Sequence, residues 1–177
     1  HPAVAVAIDA GVEVKLETSD KWEIKNDHYS NNSEEFQASK NPHIQYIIRN
    51  VFDYNGPPLK IKIESNLFSS AGLGSSAALS NAMGAALHQL INPEDEINQI
   101  KLAKIGHSAE ASAQEGRASP TDSATSSLGG CVVVSGEKDE HLNHVFDTSL
   151  ITPEGNREWS IHSVELHKNI KDSWLVL

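Results

Sequence analysis

The sequence predicts an α/β (or α+β) domain, and three observations carry that prediction. Strand-type alternation opens the chain, with Val4, Val6 and Ile8 on one face and Val12, Val14 and Leu16 set against Glu13, Lys15 and Glu17. A second alternation, Lys60-Ile-Lys-Ile-Glu64, runs through a small-residue loop, Ser69-Ser-Ala-Gly-Leu-Gly74, into an Ala-rich helical stretch that reaches Leu90. The 177 residues, 38% hydrophobic and 21% charged, have the length and composition of one folded domain, or of one domain and the start of another.

Ala3 to Leu16 reads as two strand segments divided by a bulge or bend at Asp9-Ala-Gly11. Thr18 to Lys40 is polar and reads as a hairpin arm or loop, with a short strand where Trp22 and Ile24 alternate with charges. Asn41-Pro-His begins a helix: Asn41 offers a cap, Pro42 suits the first helical position, and Ile44, Ile47, Ile48 and Val51 share a face. Asn55-Gly-Pro-Pro58 breaks it. After the strand at Leu59 to Ile63 and the small-residue loop, the next helix presents Ala78, Ala82, Ala85, Ala86 and Leu90 as its apolar face. Asn92-Pro-Glu-Asp opens a further helix whose apolar side holds Ile97, Ile100, Leu102, Ala103 and Ile105 and which Gly106 interrupts. Helix resumes at His107 and stops near Gly116, Arg117 to Asp122 is a loop, and Ser123 to Leu128 a short helix. Gly129-Gly130 turns the chain into the strand Cys131 to Val134, Glu137 to Asn143 is a polar turn, and Asn156 to Val164 leads into a strand pair.

A net charge of −10 argues against general binding to nucleic acid or to anionic membranes. A small anion remains compatible with it, because local dipoles and metal ions bind anions against an overall negative charge. Cys131, the single cysteine, sits before three valines; it forms no intrachain disulfide framework, and a reducing cytoplasm is the expected compartment. These residues read as holding no signal-peptide pattern and no apolar run long enough to span a bilayer. The chain begins on His1-Pro-Ala-Val inside an ordered pattern and closes on Trp174-Leu-Val-Leu177, so both ends read as cut from a longer polypeptide. His141 and His144 lack a Cys or carboxylate frame for a metal, and His107 reads as a packed or capping residue.

Two stretches carry chemistry. In the first, the glycines allow positive φ and close approach of a ligand, and a helix N-terminus offers unpaired N–H groups to an anion such as phosphate. Ser75 and Ser76 stand where hydroxyls either cap that helix or reach a phosphate-bound Mg²⁺. No Gly-Lys-Ser/Thr follows, so this is not a Walker A loop. The second stretch is Arg117-Ala-Ser-Pro-Thr-Asp-Ser-Ala-Thr-Ser-Ser-Leu-Gly-Gly130. Its aspartate either caps a helix or, beside a phosphate loop, accepts the proton of an attacking hydroxyl. Glu110 is either a solvated helix charge or an oxygen ligand for Mg²⁺.

The string Gly-Leu-Gly-Ser-Ser-Ala-Ala resembles the phosphate-binding motif of the GHMP kinase superfamily, which includes galactokinases, homoserine kinases, mevalonate kinases and phosphomevalonate kinases. Ala-Ser-Pro-Thr-Asp before Gly-Gly resembles the catalytic-aspartate motif of mevalonate kinases, particularly the archaeal type, and Glu110 ahead of Gln114 and Gly116 matches the place of their metal glutamate. His1-Pro-Ala-Val-Ala-Val-Ala-Ile resembles the strand after the family's Gly-Glu-His segment. The resemblance implies an N-terminal domain of the ribosomal protein S5 domain 2-like type over 1–171, lacking its first strand, with a ferredoxin-like C-terminal domain starting in 172–177. It implies that Ser70, Ala71, Gly72, Leu73, Gly74, Ser75 and Ser76 surround the phosphates of ATP, and that Ser76, ahead of Ser75, joins Glu110 at Mg²⁺. Asp122 would be the base or electrostatic partner of the substrate hydroxyl, with Ser119 and Thr121 lining the substrate side. Arg117 reads as an exposed ion-pairing residue ahead of a phosphate contact.

This chain departs from the family in having Phe68 and Ser70 where Pro and Gly are common, and Glu115 reads as an insertion before Gly116. The family's catalytic lysine and C-terminal glycine-rich motif would lie outside the chain. The implied activity is ATP-dependent phosphorylation of the 5-hydroxyl of mevalonate in the cytoplasm, for isoprenoid synthesis. The implied partners are a small molecule and, in some arrangements, a second copy, with no nucleic acid or membrane. The alternatives are another GHMP kinase and a non-catalytic nucleotide-binding relative.

Overall fold

Leu59, Ile61 and Ile63 turn inward and Lys60, Lys62 and Glu64 outward, and this period of two makes β5 (Leu59–Ser65) an inner strand of one sheet. The computed structural model describes residues 2–26, 30–33, 41–67 and 72–171. Around β5 lie β2 (Val12–Thr18), antiparallel with Val14 opposite Ile63, and β3 (Trp22–Lys25), parallel to it; β4 (Ser30–Ser33) pairs with β3 at the edge. The second sheet has the order β1-β6-β8-β7 and is antiparallel throughout, built from β1 (Ala3–Val6), β6 (Cys131–Ser135), β7 (Asn143–Thr152) and β8 (Gly155–Val164). The bend at Asp9-Ala-Gly11 therefore sends β1 and β2 to different sheets. Asn156 to Val164, expected to lead into a strand pair, is instead the second strand of a hairpin whose first strand, β7, begins at Asn143.

Between these strands run α1 (Pro42–Tyr46), continued by a π turn (Ile47–Val51), and α2 (Ser75–Ile91), α3 (Gln99–Ala113) and α4 (Thr121–Leu128); α5 (Lys168–Lys171) ends the described chain. Ile44, Ile47 and Ile48 are fully buried, as the expected face of α1 requires, although Asn41 at its N-cap makes no side-chain capping bond. One apolar cluster joins the β5 sheet to α1, α2 and α3, and a second joins α3 and α4 to the other sheet. Helix α3 serves both, with Ile105 and Ala109 in the first and Ala103 in the second.

Four expectations are corrected. The buried side of α2 is Ala77, Ser80, Asn81, Met83, Gly84, Leu87 and His88; Ala78, Ala82, Ala85, Ala86 and Leu90 are only half-buried. Two of these polar residues find partners inside: Ser80 Oγ donates to Ser76 O at 2.9 Å, and Asn81 Nδ2 to Ser123 O at 2.8 Å, whereas Asn81 Oδ1 and His88 Nε2 have none among the described residues. Helix α3 starts after Asn98 and not at Asn92, because the Asn98 side chain accepts from Ile100 N at 2.8 Å and Lys101 N at 3.4 Å. Gly106 does not interrupt α3. Asp122 lies in the first turn of α4 and not in the loop before it.

Gly106 is where three helices converge. A Cβ there would fall 2.1 Å from Asn81 Oδ1 and 3.1 Å from Ser123 Cβ. Asn81 is buried and held to Ser123 O, so it cannot swing aside without losing that bond. Gly106→Ala should therefore destabilise the fold by about 1–3 kcal/mol, overpacking outweighing the gain in helix propensity. A urea titration with an unchanged midpoint would show slack at this junction.

Candidate functional site

The small-residue loop enters α2 through two left-handed residues, Gly72 at φ +68° and Gly74 at φ +66°. Gly74 is the N-cap, no side chain caps the helix, and Ser75 points to solvent, so neither serine takes the capping role the sequence allowed. The first-turn N–H groups of α2 are left open to an anion. Phe68, Ser70 and Ala71 lie outside the described residues. Gly72, Leu73, Gly74 and Ala78 line a cleft of about 220 Å³, closed opposite by Ala5 to Ile8 of and beyond β1 and by Asp122 and Thr125 of α4.

Asp122 lies against the Gly74 backbone. A Cβ on Gly74 would stand 3.1 Å from Asp122 Cβ and Cγ and 3.2 Å from Oδ2. The side chain opens to solvent on its other side. Partial desolvation, and then the negative charge of Glu110, raise the Asp122 carboxyl above the ordinary aspartate value. A carboxylate so placed is a better proton acceptor than a free aspartate.

Glu110, on α3, is buried to 8% exposure. Ser76 Oγ donates to its Oε2 at 3.2 Å and Gln114 Nε2 to the same oxygen at 3.4 Å. Its Oε1 has His43 Nε2 at 3.1 Å, off the line of a hydrogen bond, and is otherwise unpartnered among the described residues. Burial alone would raise this carboxyl, but the His43 and Ser76 contacts and the charges of His43 and His107 outweigh it and hold the group below the usual glutamate value. A buried ionised carboxylate with one oxygen unused, beside a serine hydroxyl, fits a hard cation. No cluster of three or more His, Cys, Asp or Glu suited to a metal occurs among the described residues, so such a cation would complete its shell with phosphate oxygens and water.

The structure thus brings Gly72 to Ser76, Glu110 and Asp122 together. Ser119 and Thr121 bond each other, Oγ to Oγ1 at 2.8 Å, and Ser119 Oγ accepts from Thr121 N at 3.3 Å, shaping the entry to α4. Ser119 lines a different, larger cavity of about 530 Å³ with Arg117, Arg157 and Trp159. Arg117 is exposed and pairs with Glu154 at 2.8 Å and Glu115 at 3.1 Å. Glu115 at φ +54° and Gly116 at φ +85° form two successive left-handed residues after α3, and Gly116 N closes the turn on Ala111 O at 2.7 Å. His107 is buried, with Nε2 3.1 Å from Ala118 O, and so ties α3 to the segment that leads into Asp122.

Sequence reading missed two partners of Glu110. Gln114 was open to discovery from its i,i+4 spacing. Nothing in the sequence places His43 there, since the contact depends on how α1 packs on α3.

The profile of the GHMP kinases N terminal domain matches residues 42–130. A galactokinase of Thermosipho africanus is 36% identical over 115 residues, covering 59% of this chain and 31% of the relative. A mevalonate kinase of Saccharolobus solfataricus is 30% identical over 142 residues, covering 75% of this chain and 44% of the relative. The chain thus spans less than half the length of both. Among solved structures, the phosphomevalonate kinase of Streptococcus pneumoniae in complex with phosphomevalonate and AMPPNP superposes with a TM-score of 0.63 at 20% identity, covering 76% of this chain and 43% of that one, a likeness of fold.

Proposed function

The chain belongs to the GHMP kinase family, and on that premise we propose that it carries the phosphate-binding part of an ATP-dependent kinase that phosphorylates the 5-hydroxyl of mevalonate. One observation carries this reading: Asp122 lies against Gly74, at the uncapped N-terminus of α2, while Ser76 reaches the buried Glu110 from the same turn. The open N–H groups of α2 and the glycine backbone would bind the ATP phosphates, with Ser70 and Ala71 extending that contact. Glu110 and Ser76 would hold Mg²⁺, which neutralises phosphate charge when bound. Asp122 would orient the acceptor hydroxyl and take its proton as the oxygen attacks the γ-phosphorus and the bond to the β,γ-bridging oxygen breaks, with ADP as the leaving group. Positioning and electrostatics supply the acceleration, since little other covalent work falls to the protein.

Residues 1–171 would form the ATP-binding domain; residues 172–177, where a second domain was expected to start, lie outside the described residues. No helix is long and apolar enough to cross a membrane among the described residues. Mevalonate is the favoured acceptor because the mevalonate kinase relative matches more of the chain than the galactokinase does, and because the stretch Ala118 to Asp122 resembles the mevalonate kinase motif. Ser119 and Thr121 would act on the substrate side through the entry to α4. The test is ADP release, coupled to NADH oxidation, by the protein at its full natural length with mevalonate, phosphomevalonate and galactose in parallel. Mevalonate should give the highest kcat/KM. A preference for galactose would move the assignment to the galactokinase branch, and no ADP with any acceptor would leave a nucleotide-binding relative without catalysis.

A further inference from the structure

Glu110 is held from three sides, and the sides are not equivalent. Ser76 and Gln114 both donate to Oε2, at 3.2 and 3.4 Å. Oε1 has His43 Nε2 at 3.1 Å and no hydrogen-bond donor in line with it among the described residues. His43 belongs to the first turn of α1, where Pro42 fixes the start of the helix and the fully buried Ile44, Ile47 and Ile48 anchor it in the core. The imidazole is itself largely covered, with 20% of its side chain exposed. α1 thus presents a ring, seated on a packed helix, to the one oxygen of Glu110 that Ser76 and Gln114 do not use.

We propose that His43 is a positioning residue for the cation site, setting the direction of Glu110 Oε1 toward a divalent ion shared with the nucleotide phosphates. The inference rests on the kinase reading of the site. Mg²⁺ accepts ligands only near ideal octahedral directions, so a carboxylate free to rotate loses affinity even where its charge is intact. Groups that orient a ligand from behind are worth about 10- to 100-fold in metal affinity. Ser76 would be drawn to the ion when it binds, which leaves His43 and Gln114 to hold the carboxylate. His43 acts on the ligating oxygen itself and Gln114 on its partner.

The test is a Mn²⁺ titration of the protein at its full natural length with AMPPNP present, read from the loss of the free-Mn²⁺ electron paramagnetic resonance signal. Nucleotide affinity without metal and thermal melting are measured alongside. His43→Ala should weaken Mn²⁺ binding by about 10- to 100-fold with metal-free AMPPNP affinity unchanged. His43→Gln, which keeps an N–H donor at similar reach, should restore binding to within about threefold of wild type. Glu110→Gln separates the two layers. If it abolishes Mn²⁺ binding while His43→Ala leaves it intact, the positioning role is overturned and the kinase reading stands. If Glu110→Gln also binds Mn²⁺ normally, the cation site is elsewhere and both fall. Equal losses in His43→Ala and His43→Gln would overturn the polar contact as the cause of positioning, showing that the ring acts only by filling space.

Discussion

Asp122→Asn should lower turnover by about 10²- to 10⁴-fold while leaving the fold as stable as wild type or more so. The first half follows from chemistry. Asn keeps the shape and a hydrogen-bond acceptor at the Gly74 backbone, but it cannot take a proton from the acceptor hydroxyl. The second half follows from the direction of the Asp122 shift. Partial desolvation and the Glu110 charge raise its carboxyl in the folded state, so at neutral pH the ionised side chain is held less comfortably folded than unfolded. The stabilising contribution of a raised group is complete below its unfolded value and lost as pH rises through the folded one, so at pH 7 wild type bears the cost and Asn does not. Glu110 shifts the opposite way: its lowered value contributes stability at neutral pH that fades as the solution is acidified. Two carboxylates near one cleft, one comfortable and one not, form a site that a cation and a substrate proton would each relieve. Steady-state ADP release and thermal melting of one preparation of the protein at its full natural length test both halves. Turnover near wild type would remove Asp122 from the chemistry, and a melting point several degrees lower would remove the account of its electrostatics.

Much of this arrangement was legible because it is written in local rules. Gly72 and Gly74 lie where a strand becomes a helix, and both occupy the left-handed region that glycine alone enters at little cost. The alternation of β5 and the apolar face of α1 follow from periods of two and 3.6. Legibility fails where partners come from afar. The face of α2 differs from its sequence reading because Ser80, Asn81 and His88 look like surface residues, whereas the fold buries them, Asn81 between Gly106 and Ser123 and His88 beside Phe52. Strand β7 was unread because a register shift between His144 and Phe146 breaks its alternation. Asn92 and Asn98 both resemble helix starts, and only the one whose side chain meets two amides begins α3. Asp122 falls within α4 because Ser119 and Pro120 shape an entry that begins the helix earlier than its apolar pattern suggests. His43 and Glu110 meet across a helix packing that no spacing encodes.

Gly74→Ala should cost about 1–2 kcal/mol of stability and at least about 10²-fold in turnover, the second loss exceeding what the first explains. Alanine at φ +66° brings the left-handed penalty, and its Cβ would stand 3.1 Å from Asp122 Cβ and Cγ, closer than an ordinary contact. One of the two must yield. Helix α4 cannot slide freely, because Ala124 is fully buried and Ser123 O accepts from Asn81 Nδ2 of α2 at 2.8 Å. The Asp122 side chain therefore turns away from the cleft, and a displacement of about 1 Å in a reacting group is enough for a hundredfold loss. Gly129→Ala separates strain from displacement. Gly129 at φ +72°, ψ −176° occupies a region open almost only to glycine, yet a Cβ there would meet nothing within 4 Å. That variant should lose at least as much stability by urea titration and keep turnover within about threefold once the folded fraction is counted. Equal losses of turnover in the two variants would reduce the Gly74 effect to stability alone. A selective loss at Gly74, with AMPPNP affinity reduced only modestly, would show that this glycine is required less for the phosphates than for the carboxylate packed against it.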